Sequence, residues 1–297
     1  MTGSTVHSDL LGTETRYYQT AAYRTRAIEV VNGKLPVILM HGGGGHAEAF
    51  ARNMLPMSEF CQPIAIDFIW HGLSSKPAFW DGAPRSGRHW LEQFTDQVLQ
   101  FLDCKGIDKA VFEGESLGGW ISVDMGLRYP DRVAGLILNT AWGMKFDPSK
   151  VKEDQGDLDG LLKSSLAALN NPSAELIRKR MEWLMPLGGV TDELIEIRQR
   201  IWGRPDTKAA LTDYYRHLFD PTTDAALFTE ADLAKIKSKT LALWTTHNPF
   251  QGVDAARRIG EVMPNAKVSI IENAAHWPQW EKPEEHDRIV RDFLKTL

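Results

Sequence analysis

The sequence predicts an α/β fold: a mostly parallel central sheet with helices on both faces and a helical segment inserted past its middle. Three observations lead there. Strand-like and helix-like stretches alternate from about Tyr23 to Asn139, the order expected of a sheet wound with crossover helices. The run Pro36 to Met40 is continuously apolar, as in a strand buried on both faces. From about Met144 to Leu227 no strand is legible, while helical signals follow one another.

Bulk properties narrow the classes. A chain of 297 residues holds one large domain or a domain with an insertion. The formal charge of −5, without a basic run, argues against a nucleic-acid partner. No apolar stretch approaches the length of a membrane span. Met1 to Leu11 is polar and lacks the apolar core of a signal peptide. Cys61 and Cys104 show no metal spacing, so both read as structural thiols in a reduced, cytoplasmic setting.

In order along the chain, the first 15 or so residues read as a loose tail. Tyr23 to Val31 alternates like a strand, and Asn32-Gly33 signals a hairpin before Pro36 to Met40. The cluster Gly42 to Gly45 between His41 and His46 follows that strand. Its backbone N–H groups fit an oxyanion loop, whereas a phosphate loop would need a Lys-Ser or Lys-Thr. The flanking histidines have no further ligand at metal spacing, so no metal is expected. Glu48 to Phe60 reads as a short helix and Pro63 to Phe68 as a buried strand. His71 to Pro77 is a turn-rich loop, and Trp90 to Cys104 carries a core-facing apolar stripe at helical spacing. His41 and His71 read as packing groups near the mouth of the site.

Ala110 to Phe112 leads into Gly114-Glu115-Ser116-Leu117-Gly118, and a helix-like stretch from Trp120 to Arg128 ends at Tyr129-Pro130. Strand, Gly-x-Ser-x-Gly, helix is the setting of a nucleophile elbow. Val133 to Asn139 is the next strand. Helices are then expected over Lys150 to Asn170, Ser173 to Leu184, a stretch capped by Thr191, and Ala209 to Leu218. Strands return at Thr240 to Trp244 and Lys267 to Ile271. The expected organisation is a core of residues 1–142 and 228–297 with a helical cap, or lid, of residues 143–227.

A serine hydroxyl needs a positioned base. Of nine histidines, His276 stands after the last strand, where the base belongs in the order serine, acid, histidine. The acid belongs in the loop Trp244 to Gly252, which contains no carboxylate. Exchanging Asp for Asn in a serine-protease triad costs about 10⁴ in rate. Three readings stand: Asn248 orients His276 in a less demanding reaction, another carboxylate such as Asp254 reaches in, or the site is catalytically weak.

With these residues in place, the chain resembles the α/β-hydrolase fold. It is most similar to the meta-cleavage-product hydrolases, which cut a C–C bond in 2-hydroxy-6-oxo-hexa-2,4-dienoates. His41 to Gly44 with Arg52-Asn53 downstream, and Val190 to Arg198, carry the narrower likeness. The resemblance implies a cofactor-free serine hydrolase in which Ser116, His276 and Asn248 are catalytic. It also implies that Gly43 and Leu117 give the oxyanion N–H groups. Arg198 would pair with the dienoate carboxylate, beside Trp277, Asn53 and Glu115. Phe50, Trp70, Trp142 and Trp202 are candidates for pocket wall or core. The implied substrate is a small carboxylate, aromatic or dienoate, and a homodimer is a fair expectation. The chain departs from the family at Asn248, usually Asp; at Glu115, often Asn; and in a shorter Gly-rich loop without its second Asn. A carboxylesterase or lactonase, and a ligand-binding protein with little chemistry, are the alternatives.

Overall fold

A computed structural model describes residues 5–152 and 158–297. The start of the helix expected from Lys150 falls partly on residues outside those described. From Thr5 onward the amino-terminal segment is not a loose tail. It forms a short helix α1 (Val6–Asp9), capped by Thr5, and an edge strand β1 (Glu14–Gln19). Strand β1 pairs antiparallel with β2 (Arg24–Glu29), and β2 pairs antiparallel with β4 (Gln62–Ile66). Asn32-Gly33 therefore does not close a hairpin. It belongs to a crossover, because β3 (Pro36–Met40) pairs with β4 and with β5 (Ala110–Glu115), parallel to both.

The sheet has eight strands in the order β1-β2-β4-β3-β5-β6-β9-β10, with β6 (Val133–Asn139), β9 (Thr240–Thr245) and β10 (Ala266–Ile271) continuing the parallel part. Val37 to Met40 and Ala110 to Phe112 are fully buried, which explains why these strands read as continuous apolar runs. Two groups of helices cover the sheet. α3 (Glu92–Lys105) packs on α4 (Leu117–Arg128), while α2 (Ala51–Ser58) packs with α11 (Pro278–Glu281) and α12 (Pro283–Leu294). α9 (Glu230–Leu233) and α10 (Val253–Val262) close the far edge. Some elements open with a legible signal, such as Pro283 at the first turn of α12.

After β6 comes a two-residue strand β7 (Met144–Lys145), paired with β8 (Phe228–Thr229), and between these two strands the described residues form four α-helices. These are α5 (Leu158–Asn170), α6 (Ala174–Leu184), α7 (Asp192–Trp202) and α8 (Pro205–Leu218), packed on one another. α8 starts earlier than Ala209 because Pro205 sits at its first position. The helical group rests on the loops beyond the strand ends: Trp202 Nε1 donates to Gly44 O at 3.1 Å, and His276 N donates to Leu184 O at 3.2 Å. Among the described residues, no helix is long and apolar enough to cross a membrane.

Candidate active site

The centre of the site is the turn between β5 and α4. Ser116 has φ 51° and ψ −113°, a left-handed region that costs a non-glycine residue about 1–3 kcal/mol and is held only by its surroundings. The turn is tight: a Cβ on Gly114 would lie 2.0 Å from Gly118 O, so only glycine fits there. Ser116 N donates to Asn139 O at 3.2 Å, and Ser116 O accepts from Gly119 N at 2.8 Å and Trp142 N at 2.9 Å. Leu117 opens α4, so its N–H has no intrahelical acceptor. Gly43 N–H has no acceptor among the described residues either. The Gly-rich loop passes the serine at Gly42, where a Cβ would fall 2.9 Å from Ser116 Cβ, so the loop and the helix start both lie beside it.

His276 is buried, on the loop between β10 and α11. Its Nδ1 lies 2.8 Å from Asn248 Oδ1, and Asn248 Nδ2 donates to Gln251 O at 2.8 Å. The second bond fixes the amide orientation, so Nδ1 carries a proton and the neutral ring keeps its lone pair on Nε2. Nε2 lies 3.1 Å from Glu115 Oε1, although the angles are not those of an aligned hydrogen bond, and neither Glu115 oxygen has an aligned donor. Among the described hydrogen bonds, none joins His276 to Ser116 Oγ. Burial pushes the Glu115 carboxyl up to about 8, against the Gly42 amide and the Arg198 and Arg180 charges. Burial, and then the Arg180 charge, brings His276 down to about 3. At neutral pH a protonated Glu115 therefore faces a neutral imidazole.

Arg198 is completely buried, and all three of its guanidinium nitrogens lack a hydrogen-bond partner. Its Cζ lies 5.4 Å from the ring centroids of both Trp202 and Trp277. Burial, and then Arg180, lowers its pKa to about 9, which leaves it charged at neutral pH. An uncompensated buried cation is costly, so this arrangement suits an anionic ligand. Arg180, not anticipated from the sequence, sits beside it on α6. It donates to Ser165 Oγ at 2.9 Å and Tyr215 Oη at 2.7 Å, with Nη1 left without a partner. The buried Tyr214 hydroxyl also lacks a partner. The helical register held the clue: Arg180 falls three residues after Ile177 and four before Leu184, both buried, so it lies on the apolar stripe of α6.

Other candidates go elsewhere. Asn53, expected at the substrate, gives its amide to Asp287 Oδ1 at 2.8 Å, among α2 and α12. Its position on the inward face of α2 commits it to that buried cluster instead. Asp254 accepts from Lys152 N at 2.8 Å and Ala255 N at 3.0 Å, so Asn248 and not Asp254 meets His276. His41 Nε2 accepts from Phe68 N at 3.2 Å, and His71 Nδ1 contacts Ile69 O at 2.9 Å; both are packing groups. Phe50 and Trp70 are core, Trp70 stacking on Phe79 at 4.0 Å. Trp142 is partly buried, and Trp202 flanks Arg198.

Comparison with known proteins agrees with this architecture. The sequence profile of the alpha/beta hydrolase fold matches residues 36–283. A 2-hydroxy-6-oxo-2,4-heptadienoate hydrolase of Pseudomonas putida is 26% identical over 264 residues, 87% of this chain and 88% of the relative. A 2-hydroxy-6-oxononadienedioate/2-hydroxy-6-oxononatrienedioate hydrolase of Burkholderia vietnamiensis is 29% identical over 275 residues, 89% of this chain and 88% of that one. Among solved structures, a 2-hydroxy-6-oxo-6-phenylhexa-2,4-dienoate hydrolase of Rhodococcus superposes with a TM-score of 0.80 at 18% identity, covering 95% of this chain and 99% of its own. A carboxylesterase of Bacillus subtilis shares the fold at a TM-score of 0.74 and 21% identity, covering 97% and 95%. The chain belongs to the alpha/beta hydrolase fold family.

Proposed function

We propose that this chain is a serine hydrolase that cleaves a C–C bond in a 2-hydroxy-6-oxo-hexa-2,4-dienoate-type ring-cleavage product, with residues 1–142 and 228–297 as the catalytic core and residues 143–227 as a cap over it. The observation that carries the reading is Arg198, a buried guanidinium without partners between two tryptophans. A dienoate carboxylate supplies the missing charge and accepts the unpaired N–H groups. The names of the relatives support the same substrate class.

In this reading the carboxylate on Arg198 directs the far carbonyl toward Ser116. Ser116 Oγ adds to that carbonyl carbon while its proton passes to His276 Nε2, and the carbonyl oxygen takes the electron pair. Gly43 and Leu117 N–H groups receive the oxyanion. Ketonisation precedes this addition: the 2-hydroxyl proton is lost and a proton is gained at the carbon next to the far carbonyl. The C–C bond then breaks with its electron pair delocalised toward the 2-oxo group, the resulting enolate takes the proton from His276 Nε2, and water, giving a proton to His276, releases the acyl group from Ser116. Asn248 keeps the proton on Nδ1, so that Nε2 is the basic nitrogen.

Stopped-flow absorbance with a synthetic 2-hydroxy-6-oxo-dienoate tests this. Rapid loss of the dienolate band in wild type, absent in Ser116→Ala, supports C–C hydrolysis. No decay with any dienoate, together with turnover of neutral aryl esters undiminished in Arg198→Ala, replaces it with a carboxylesterase, which uses the same serine and oxyanion donors.

A further inference from the structure

The missing acid leaves His276 with a neutral partner on Nδ1. Asn248 selects the tautomer but adds no charge to stabilise an imidazolium. On the other side of the ring stands Glu115, fully buried, with Oε1 at 3.1 Å from Nε2 and no aligned donor on either oxygen. The carboxyl lies against the Gly-rich loop, where a Cβ on Gly42 would fall 2.5 Å from Oε2. A lone pair on Nε2 and an ionised carboxylate at this distance repel each other, so the pair holds one proton. The other groups acting on it are Arg180 from α6, Arg198 from α7 and the Gly42 amide, with Ser116 next in the chain.

We propose that Glu115 is the acid of this catalytic centre: it supplies, from the Nε2 side of His276, the negative charge that Asn248 cannot supply from the Nδ1 side. The work of one aspartate is divided between two residues. Asn248 fixes the ring and its tautomer, and Glu115 carries the charge. When Ser116 Oγ attacks an electrophile, a bond to Oγ forms, the Ser116 O–H bond breaks, an Nε2–H bond forms, and the imidazolium lies 3.1 Å from the Glu115 carboxylate. The carboxylate must first lose its resting proton. At alkaline pH that proton goes to solvent. With a dienolate bound, it goes to the substrate: the Glu115 O–H bond breaks, a C–H bond forms at the enolate carbon next to the far carbonyl, and the electron pair stays on Glu115. This substrate step rests on the dienoate reading proposed above; the charge role does not.

The test is the rate at which a neutral fluorophosphonate labels Ser116, measured from pH 5.5 to 9.5. Labelling forms a P–O bond, releases fluoride and leaves the serine proton on His276, so it needs no dienoate. Wild type is expected to label faster as pH rises through about 8, where Glu115 ionises. Glu115→Gln should lose that limb and label about 10²-fold more slowly at pH 9. Glu115→Asp should keep the limb. Asn248→Asp in the Glu115→Gln background should recover about tenfold or more, because the charge returns on Nδ1. If Glu115→Gln does not fold, Asn248→Asp alone decides: it should raise labelling at pH 6.5 and flatten the limb. A folded Glu115→Gln enzyme with the wild-type profile, or a double variant no faster than Glu115→Gln, overturns the proposal. So does an unchanged profile in Asn248→Asp. A parallel dienoate assay keeps the outcomes apart, since failure of every dienoate with the labelling pattern intact removes only the substrate reading.

Discussion

Strand β5 carries two buried glutamates two residues apart, on one face of the strand, and each meets a histidine. Glu113 Oε1 lies 2.6 Å from His286 Nε2, and His286 Nδ1 lies 2.9 Å from Asp287 Oδ1. Glu115 Oε1 lies 3.1 Å from His276 Nε2, whose Nδ1 faces the neutral Asn248. Burial opposes charge on both rings. At His286 two carboxylates outweigh it and raise the pKa to about 10. At His276 nothing anionic adjoins Nδ1, and burial with Arg180 lowers the pKa to about 3. The same pair of residue types is therefore an ion pair at one end of a short strand and a neutral acid beside a neutral base at the other. The neighbours decide where the proton sits. The Glu113 pair is closed by Asp287, Asn53 and Asn139, whereas the Glu115 pair is left facing two arginines with unmet N–H groups.

The contrast can be broken from either end. Ser116→Ala should cost at least about 10³ in kcat on the true substrate without unfolding the protein, read by turnover and thermal melting side by side. Arg198→Ala should lower kcat/KM for carboxylate substrates by about 10²–10³ and leave neutral aryl esters within a few-fold. His286→Ala should instead act on stability. Stripping the partner from buried Glu113 should cost about 3–5 kcal/mol in denaturant unfolding, with activity per folded molecule little changed.

Acidity sharpens the difference. His286, raised from 6.5 to about 10, contributes stability that is complete below pH 6.5 and is lost as pH rises through 10. Glu115, raised from 4.5 to about 8, holds its proton more tightly when folded, so stability falls as pH rises from 4.5 through 8. Glu115→Gln should flatten the decline in melting temperature between pH 4.5 and 6.5, and His286→Ala should not, because the His286 contribution is lost only above pH 6.5. The smallest effect is expected at Asp254, where Ala should leave turnover within about twofold, because the carboxylate is engaged by Lys152 N and Ala255 N.

The sheet was legible because β3 and β5 are buried on both faces and so carry no alternation to confuse with a helix. The elbow was legible because its glycines are sterically required. Asn32-Gly33 misled because the dipeptide reports local turn chemistry, while pairing is set by which apolar faces meet. The amino-terminal helix and strand were missed because their residues are mostly exposed and carry little apolar pattern. Strand order dictates the loop that meets His276 but not which of its side chains does so; the sequence leaves Asn248 and Asp254 both open, and the structure puts Asn248 Oδ1 at 2.8 Å from the ring. The meeting of Glu115 with His276 joins positions 161 residues apart, and no local pattern encodes it. Arg180 was hidden in Arg178-Lys179-Arg180, which reads as a solvated face until the turn of α6 is followed residue by residue.

The amino-terminal helix has a consequence for timing. Val6 N and His7 N, in the first turn of α1, donate to the Glu193 carboxylate at 2.6 and 3.2 Å, and Glu193 lies on α7, five residues before Arg198. α1 in turn packs on α2 of the core. Any outward swing of α7 must drag α1 with it or break two charge-assisted hydrogen bonds. On the proposed reading of Arg198 as the carboxylate anchor, this clasp would brake the entry and exit of a ligand from a segment far along the chain.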